Sequence, residues 1–281
     1  MTGHTHGNWA VRVPHYFALT VIGVLALFPM YFMAVTGLKN GIQLEQNPFS
    51  LAIAHPFGTF YRQAWDYIDG DMLRTVLITA ASVVGITVLG MLSAYAFARM
   101  EFLGSTVLFY VVFGLLLIPS FLTLIPLFLE VRGMGLIDNP AALILPYIAG
   151  GQAFAIFVFR SSIQGIPEEF FEAARIDGAT HLRMLLRIAA PLSRPIMIAV
   201  GLLNVTAIWG DYVFPSLVLP VSRQTAAMAV GNFQPPPSVP DINVVNLQFA
   251  AYTIVSVPII LLFIFFIRYF IAGLATGAVK M

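Results

Sequence analysis

Apolar positions run through this chain in long blocks, with polar residues gathered in the gaps between them. A bilayer core of about 30 Å takes roughly 20 apolar residues as a helix. Six stretches reach that length, at about 16–38, 75–98, 105–129, 141–162, 195–217 and 249–271. The pattern predicts an all-α integral membrane protein of six transmembrane helices. Pro29, Pro119, Pro126 and Pro146 fall inside these spans. Such breaks survive in lipid where neighbouring helices or a cavity satisfy the freed carbonyls, so the expected bundle has bent helices, some lining a path.

The first apolar run is long enough to span and ends without a small-residue cleavage pattern, which predicts a retained span. The polar tail before it carries His4 and His6, read as a solvated tail rather than a metal site. Two connections are long. Residues 39–74 hold Tyr61, Trp65, Asp66, Tyr67, Asp69 and Asp71, and residues 218–248 contain GNFQPPPSVPD, whose prolines favour a stiff, extended loop.

Composition sharpens the membrane reading and removes several chemistries. The chain is 59% hydrophobic and only 10% charged, against roughly 25% charged in soluble domains. A net charge of +1 offers nothing to nucleic acid. The absence of cysteine excludes disulfides and thiolate catalysis. Lys39 and Lys280 are the only lysines and neither follows a GxxxxG run, so there is no phosphate-cradling loop. No catalytic residue, metal site or cofactor of the chain's own is expected, and any ATP hydrolysis belongs to another chain. The positive charges orient the spans: nine (Arg12, Arg99, Arg160, Arg175, Arg183, Arg187, Arg194, Arg268, Lys280) fall on the side of the termini, and five (Lys39, Arg62, Arg74, Arg132, Arg223) on the other. Both termini are therefore expected to be cytoplasmic. The expected organisation is a cytoplasmic tail at 1–15, a transmembrane domain at 16–271 and a second cytoplasmic tail at 272–281.

One segment breaks the apolar pattern. Residues 168–195, EEFFEAARIDGATHLRMLLRIAAPLSRP, carry eight of the chain's 27 charged side chains. Pro167 suits the first turn of a helix, and Glu168, Glu169 and Glu172 complement its positive end. Arg175 lies within pairing reach of Glu172. Asp177-Gly178 reads as a break, Thr180 as the cap of a second helix with Leu182, Leu185, Leu186 and Ala189 as its apolar stripe, and Pro191 and Pro195 as its stop. The implied form is a helix, a tight turn and a helix at about 163–195, on the cytoplasmic side. An interfacial helix pair is the plain alternative, but an acidic start and a sharp bend fit a groove in a partner protein better.

Glu172, Ala173, Ala174, Gly178, Ile188 and Pro191 match the EAA loop of ATP-binding-cassette importer permeases in residue type and spacing. The stretches LIPSFLTLIPLFLEVRGMGLIDNPAALILPY, AIWGDYVFPSL and RYFIAGLATGAVKM also resemble the maltose-type sugar branch, so the likeness covers nearly the whole chain. It implies a type I importer permease (MetI-like) bundle in a bacterial or archaeal plasma (inner) membrane. Its partners would be a second permease subunit, two ATPase subunits that bind ATP and Mg, and an extracytoplasmic solute-binding protein. It further implies that the EAA loop, with Asp177 at its bend, sits in a cleft of the ATPase and transmits its closure. The C-terminal tail from Thr276 to Lys280 would reach the same interface. The loop between the last two spans would approach the binding protein, making Asn232, Phe233 and Gln234 candidate contacts. This sequence departs from the family in having Trp209-Gly210-Asp211 where Asn often stands in the middle.

For a solute path the candidates are Asp211, Trp209, Tyr212, Gln152 and Asn204. A charge at mid-bilayer costs about 2.5–3.5 kcal/mol, so Asp211 faces a partner or a watery path. Trp209 and Tyr212 offer rings to a sugar or to the membrane interface, while Gln152 and Asn204 offer hydrogen bonds to hydroxyls or to neighbouring helices. The alternative function is a secondary transporter of a small polar solute, driven by an ion gradient and centred on Asp211. A membrane-embedded enzyme finds little support, because His55 and His181 lie in different loops and the outer acids lack a histidine partner.

Overall fold

The computed structural model describes residues 9–52, 56–233 and 241–278, and every regular element among them is helical. In chain order these are α1 (Trp9–Gly37), α2 (Gly41–Gln46), α3 (Thr59–Arg99), α4 (Ser105–Gly114) and α5 (Ser120–Gly133). They continue with α6 (Ala141–Gln164), α7 (Glu169–Ile176), α8 (His181–Leu192) and α9 (Arg194–Trp209). Two short helices, α10 (Val213–Val218) and α11 (Ala226–Gly231), precede the long α12 (Val244–Ala278).

Four of these, α1, α3, α6 and α12, contain a run long and apolar enough to cross a membrane. The other two expected spans are broken. Ser105–Leu117 and Ser120–Gly133 meet at 103°, and α8 meets α9 at 77°. Counting each bent pair as one span gives six. The continuous helix expected at 105–129 is thus replaced by two arms. Pro119 drives the residue before it out of the helical region, and Ile118 is extended there (φ −83°, ψ 116°). The helix expected at 195–217 also stops early, at Trp209, and the chain turns through Gly210–Tyr212 before α10. Much of the expected 39–74 loop is helical, since α3 begins at Thr59. Gln234 and the proline run after it lie outside the described residues, as do His4, His6 and Lys280.

Contacts divide the chain into two units. The first takes in the described residues up to Ile68 with Phe233 and the stretch to Val257. In it, Asn40 and Gln43 form a capping box that starts α2, each side chain accepting from the other's backbone N–H. Gly41 N–H donates to Asn243 Oδ1 at 2.8 Å, Asn246 Nδ2 donates to the Thr36 carbonyl at 3.0 Å, and Tyr61 donates to the Ala34 carbonyl at 2.8 Å. The last two bonds satisfy carbonyls in the final turn of α1, which lack helical partners.

The second unit comprises Asp69–Asn232 with the chain from Pro258 onward. One of its cores joins α3, α6, α7 and α8 through Met91, Tyr95, Ala155, Phe159, Phe171 and Leu185. Another gathers Ile78, Val131, Leu143, Phe214 and Met228. α3 passes close to α6 at Gly85 and Gly90, where an added methyl would come within 2.4 Å of Ile148 and 2.9 Å of Ala155. Small residues at such crossings let helices approach in lipid, where packing replaces the hydrophobic drive.

Candidate functional site

The charged segment forms the predicted helix–turn–helix. α7 begins after Glu168 with Glu169 and Glu172 in its first turn. Phe171 is the buried anchor of α7, and Ala174 packs against the same core. The turn is a Schellman motif: Gly178 N–H donates to the Arg175 carbonyl at 3.0 Å, and Ala179 N–H to the Ala174 carbonyl at 2.9 Å. Gly178 takes φ +73°, the left-handed conformation this closure requires. Thr180 caps α8 by accepting from Arg183 N–H at 3.4 Å.

Three details differ from expectation. Arg175 pairs with Glu168 at 2.6 Å rather than with Glu172. Residues seven apart return to the same helix face after two turns, and Arg99 holds Glu168 in place for both guanidinium groups. The buried stripe of α8 is Met184, Leu185 and Ala189, with Ile188 partly buried, while Leu182 and Leu186 are exposed. A π-helical turn at Leu185–Ala189 resets the register, next to Pro191, which has no N–H to give the ladder. Pro191 itself sits in the last turn of α8, and Pro195 opens α9.

Arg99 and Tyr95, in the last turns of α3, hold this segment and were not singled out by the sequence. The Arg99 guanidinium contacts the Glu168 carboxylate and donates to the carbonyls of Ile163 (2.8 Å) and Ile166 (2.6 Å). Its face lies 4.1 Å from the Phe171 ring centroid. Tyr95 packs on Phe171 and shares a hydrogen bond of 3.3 Å with His181 Nδ1. In sequence, Arg99 registers only as one more orienting charge.

The candidate solute-path residues separate into two groups. Around the break after α9, Asp211 accepts from Tyr147 through Oδ2 at 2.8 Å. Its Oδ1 accepts from Val213 N–H at 3.0 Å and Phe214 N–H at 3.4 Å, starting α10. Tyr212 donates to Asn232 Oδ1 at 2.6 Å with its ring against Gly231, and Trp209 is buried. Asp211 and Tyr212 thus share one turn, and the Tyr212 hydroxyl ties that turn to Asn232 at the end of α11. Gln152 and Asn204 form the other group. Gln152 Nε2 donates to the Ile148 carbonyl at 3.1 Å and the Ile86 carbonyl at 3.5 Å, while Asn204 Nδ2 donates to the Val200 carbonyl at 2.9 Å. Gln152 Oε1 is buried without a partner. Phe233 belongs to the first unit, where it meets Tyr67 edge to face at 5.2 Å. Among the described residues no cluster of three or more His, Asp or Glu side chains is arranged to hold a metal.

Comparison with known proteins gives this arrangement its context. The chain is 29% identical over 265 residues, 93% of its length and 87% of the other's, to a diacetylchitobiose uptake system permease protein of Streptomyces coelicolor. It is 30% identical over 276 residues, 92% of its length and 93% of the other's, to an arabinooligosaccharides transport system permease protein of Halalkalibacterium halodurans. Its fold matches a chain of a bacterial ABC transporter involved in the import of the acidic polysaccharide alginate, with a TM-score of 0.82 at 19% identity, over 96% of this chain and 100% of that one. Residues 85–276, which contain the helix–turn–helix and both groups of polar residues, match the family described as binding-protein-dependent transport system inner membrane component. The chain is thus a membrane permease subunit and belongs to that family.

Proposed function

We propose that this chain forms half of the translocation path of an ATP-driven carbohydrate importer, beside a second, different permease subunit. An extracytoplasmic binding protein delivers the solute. Two ATPase subunits carry the ATP and Mg, one of them receives the segment 163–195 of this chain, and both termini of this chain share their cytoplasmic side. The sugar substrates in the names of its relatives support the choice of solute class.

The observation that carries this reading is the unpartnered surface of the helix–turn–helix. Ile176, beside the Gly178 bend, is 87% exposed, and Phe170, Leu182 and Leu186 are exposed with it. Glu169, Glu172 and Asp177 are exposed among them. Exposed apolar side chains grouped on one surface mark a place of contact, but acids do not suit the anionic face of a cytoplasmic leaflet. A groove in a partner protein meets both demands. Glu172, Ala173, Ala174, Asp177 and Gly178 form its tip, and Ile188 and Pro191 fix its second arm. The ion-gradient alternative loses support at Asp211, whose two oxygens already accept from Tyr147 and from two backbone N–H groups.

Co-purification tests the proposal. A tag on this chain, mild detergent and mass spectrometry of the retained proteins should recover a second permease and an ATPase, with the ATPase lost when Glu172 and Gly178 are both replaced. A chain that comes out alone and still moves solute in proteoliposomes under an ion gradient would refute it.

A further inference from the structure

We propose that α3 is the rod that carries movement of the helix–turn–helix through the second unit, with Tyr95 and Arg99 as its grip. This rests on the coupling role proposed above for the segment.

The covalent joins of the segment are poorly suited to transmit force. It leaves α6 through Gly165–Pro167 and enters α9 through Ser193, where the axis turns by 77°. The chain changes direction at both joins, so neither offers a straight path out of the segment. The grip from α3 is different in kind. Arg99 is a planar fork of donors, and it engages four groups at once: the Glu168 carboxylate, the Ile163 and Ile166 carbonyls and the face of Phe171. Two of these lie at the start of the first arm or within it, and two lie at its root. Tyr95, one turn earlier on the same face, touches Phe171 on the first arm and His181 on the second. One helix therefore holds both arms, and holds them by side chains that leave little freedom.

The same helix is tied a second time, at Arg74 and Thr75 within the second unit. Arg74 donates to Asp71 Oδ1 at 2.8 Å and to the Gln224 carbonyl at 2.6 Å. Thr75 Oγ1 accepts from Ala226 N–H at 2.8 Å, at the first residue of α11. α11 ends at Gly231, on which the Tyr212 ring rests. Between Arg74 and Arg99 the helix runs about 37 Å at 1.5 Å per residue, without a proline. The neighbouring route through α9 is broken at Gly210–Tyr212, and the route through α4 and α5 folds by 103°. α3 is thus an unbroken path from the helix–turn–helix to the α11 loop.

The test uses the whole reconstituted importer and reads solute moved per ATP hydrolysed. Arg99→Met should leave the ATPase bound but lower that ratio about tenfold, within the usual range of a coupling energy. Arg99→Lys should recover little of it, because an ammonium cannot reproduce the fork. Arg74→Met, at the second tie, should lower the same ratio, and the double variant should be no worse than either single one, as expected for two points of one linkage. An Arg99→Met complex that assembles with an unchanged ratio overturns the proposal. Should Arg99→Met fail to assemble, a second variant decides. The chain has no cysteine, so Tyr95→Cys with His181→Cys allows one short bismethanethiosulfonate bridge. A rigid grip transports with the bridge closed, whereas uptake lost on bridging and restored by reductant shows a joint that must open, which sinks the idea. Either result is separate from the coupling role itself, which fails only if the unaltered chain binds no ATPase.

Discussion

Tyr147 and Asp211, 64 residues apart in sequence, meet through a 2.8 Å hydrogen bond that ties the second turn of α6 to the turn after α9. The bond settles what the carboxylate faces. Its second oxygen lies over the first N–H groups of α10, the way short acidic side chains start turns and helices. The charge is met by protein donors on both sides.

Substitutions at this pair separate a structural from a transport role. Asp211→Ala removes the start of α10 and orphans the Tyr147 hydroxyl, a loss of about 2 kcal/mol. Tyr147→Phe loses one hydrogen bond, about 1 kcal/mol. Asp211→Asn keeps the acceptor over α10, so it should melt between wild type and Asp211→Ala in detergent and retain solute uptake. Uptake abolished in Asp211→Asn at unchanged melting temperature would return this carboxylate to the solute path.

At Gly178 the prediction concerns backbone conformation alone. An added Cβ would meet nothing within 4 Å, yet φ is +73°. A side chain in the left-handed region costs about 1–2 kcal/mol, least for Asn. Uptake at matched membrane levels should therefore fall in the order Gly, Asn, Ala, Val. Gly178→Trp should remain inserted but lose uptake, because the tip would no longer enter a partner groove. Equal uptake across the series would show that the Schellman turn is not needed for coupling.

These two sites also show how much the sequence disclosed. The turn at Gly178 and the Thr180 cap were legible because their causes are local: a glycine, a hydroxyl and the residues three or four positions away. The six apolar runs were legible for the same reason. What escaped depends on distance. Glu168 chose Arg99, 69 residues away, and then Arg175 over two helical turns, so Glu172 lost the pairing that spacing alone favoured. Asp211 stood out as an isolated acid, but nothing near it pointed to Tyr147. Pro119 was visible, yet its bend of 103° depends on what the two arms pack against. Chemistry could be read from residue types, and partners could not.

Close approach in the first unit gives a contrast between two glycines. A Cβ on Gly41 would lie 2.3 Å from the Ile242 carbonyl oxygen, a backbone atom with nowhere to go. Gly41→Ala should destabilise by about 1–3 kcal/mol, as overpacking does. Gly23, in mid-α1, would meet nothing within 4 Å, so Gly23→Ala should be neutral or gain up to about 1 kcal/mol from lower chain entropy. Melting curves in detergent compare them directly, and equal shifts would deny the contact between α2 and the Ile242 backbone.

Lys39 supplies a pH-dependent prediction. Its side chain is buried just after α1 and its ammonium donates to the Ser50 carbonyl. Burial lowers its pKa from the ordinary 10.5, because removal from water disfavours the charged form. In the window between the lowered value and 10.5, the unfolded chain holds more protons at this site than the folded one. Stability from this group therefore rises with pH through that window, and the burial penalty is fully present below it. Lys39→Met has no proton to lose. The difference in melting temperature between wild type and Lys39→Met should shift in favour of wild type as the pH is raised towards 10.5. A difference that stays constant up to 10.5 would mean that burial does not lower this lysine's pKa in the folded protein.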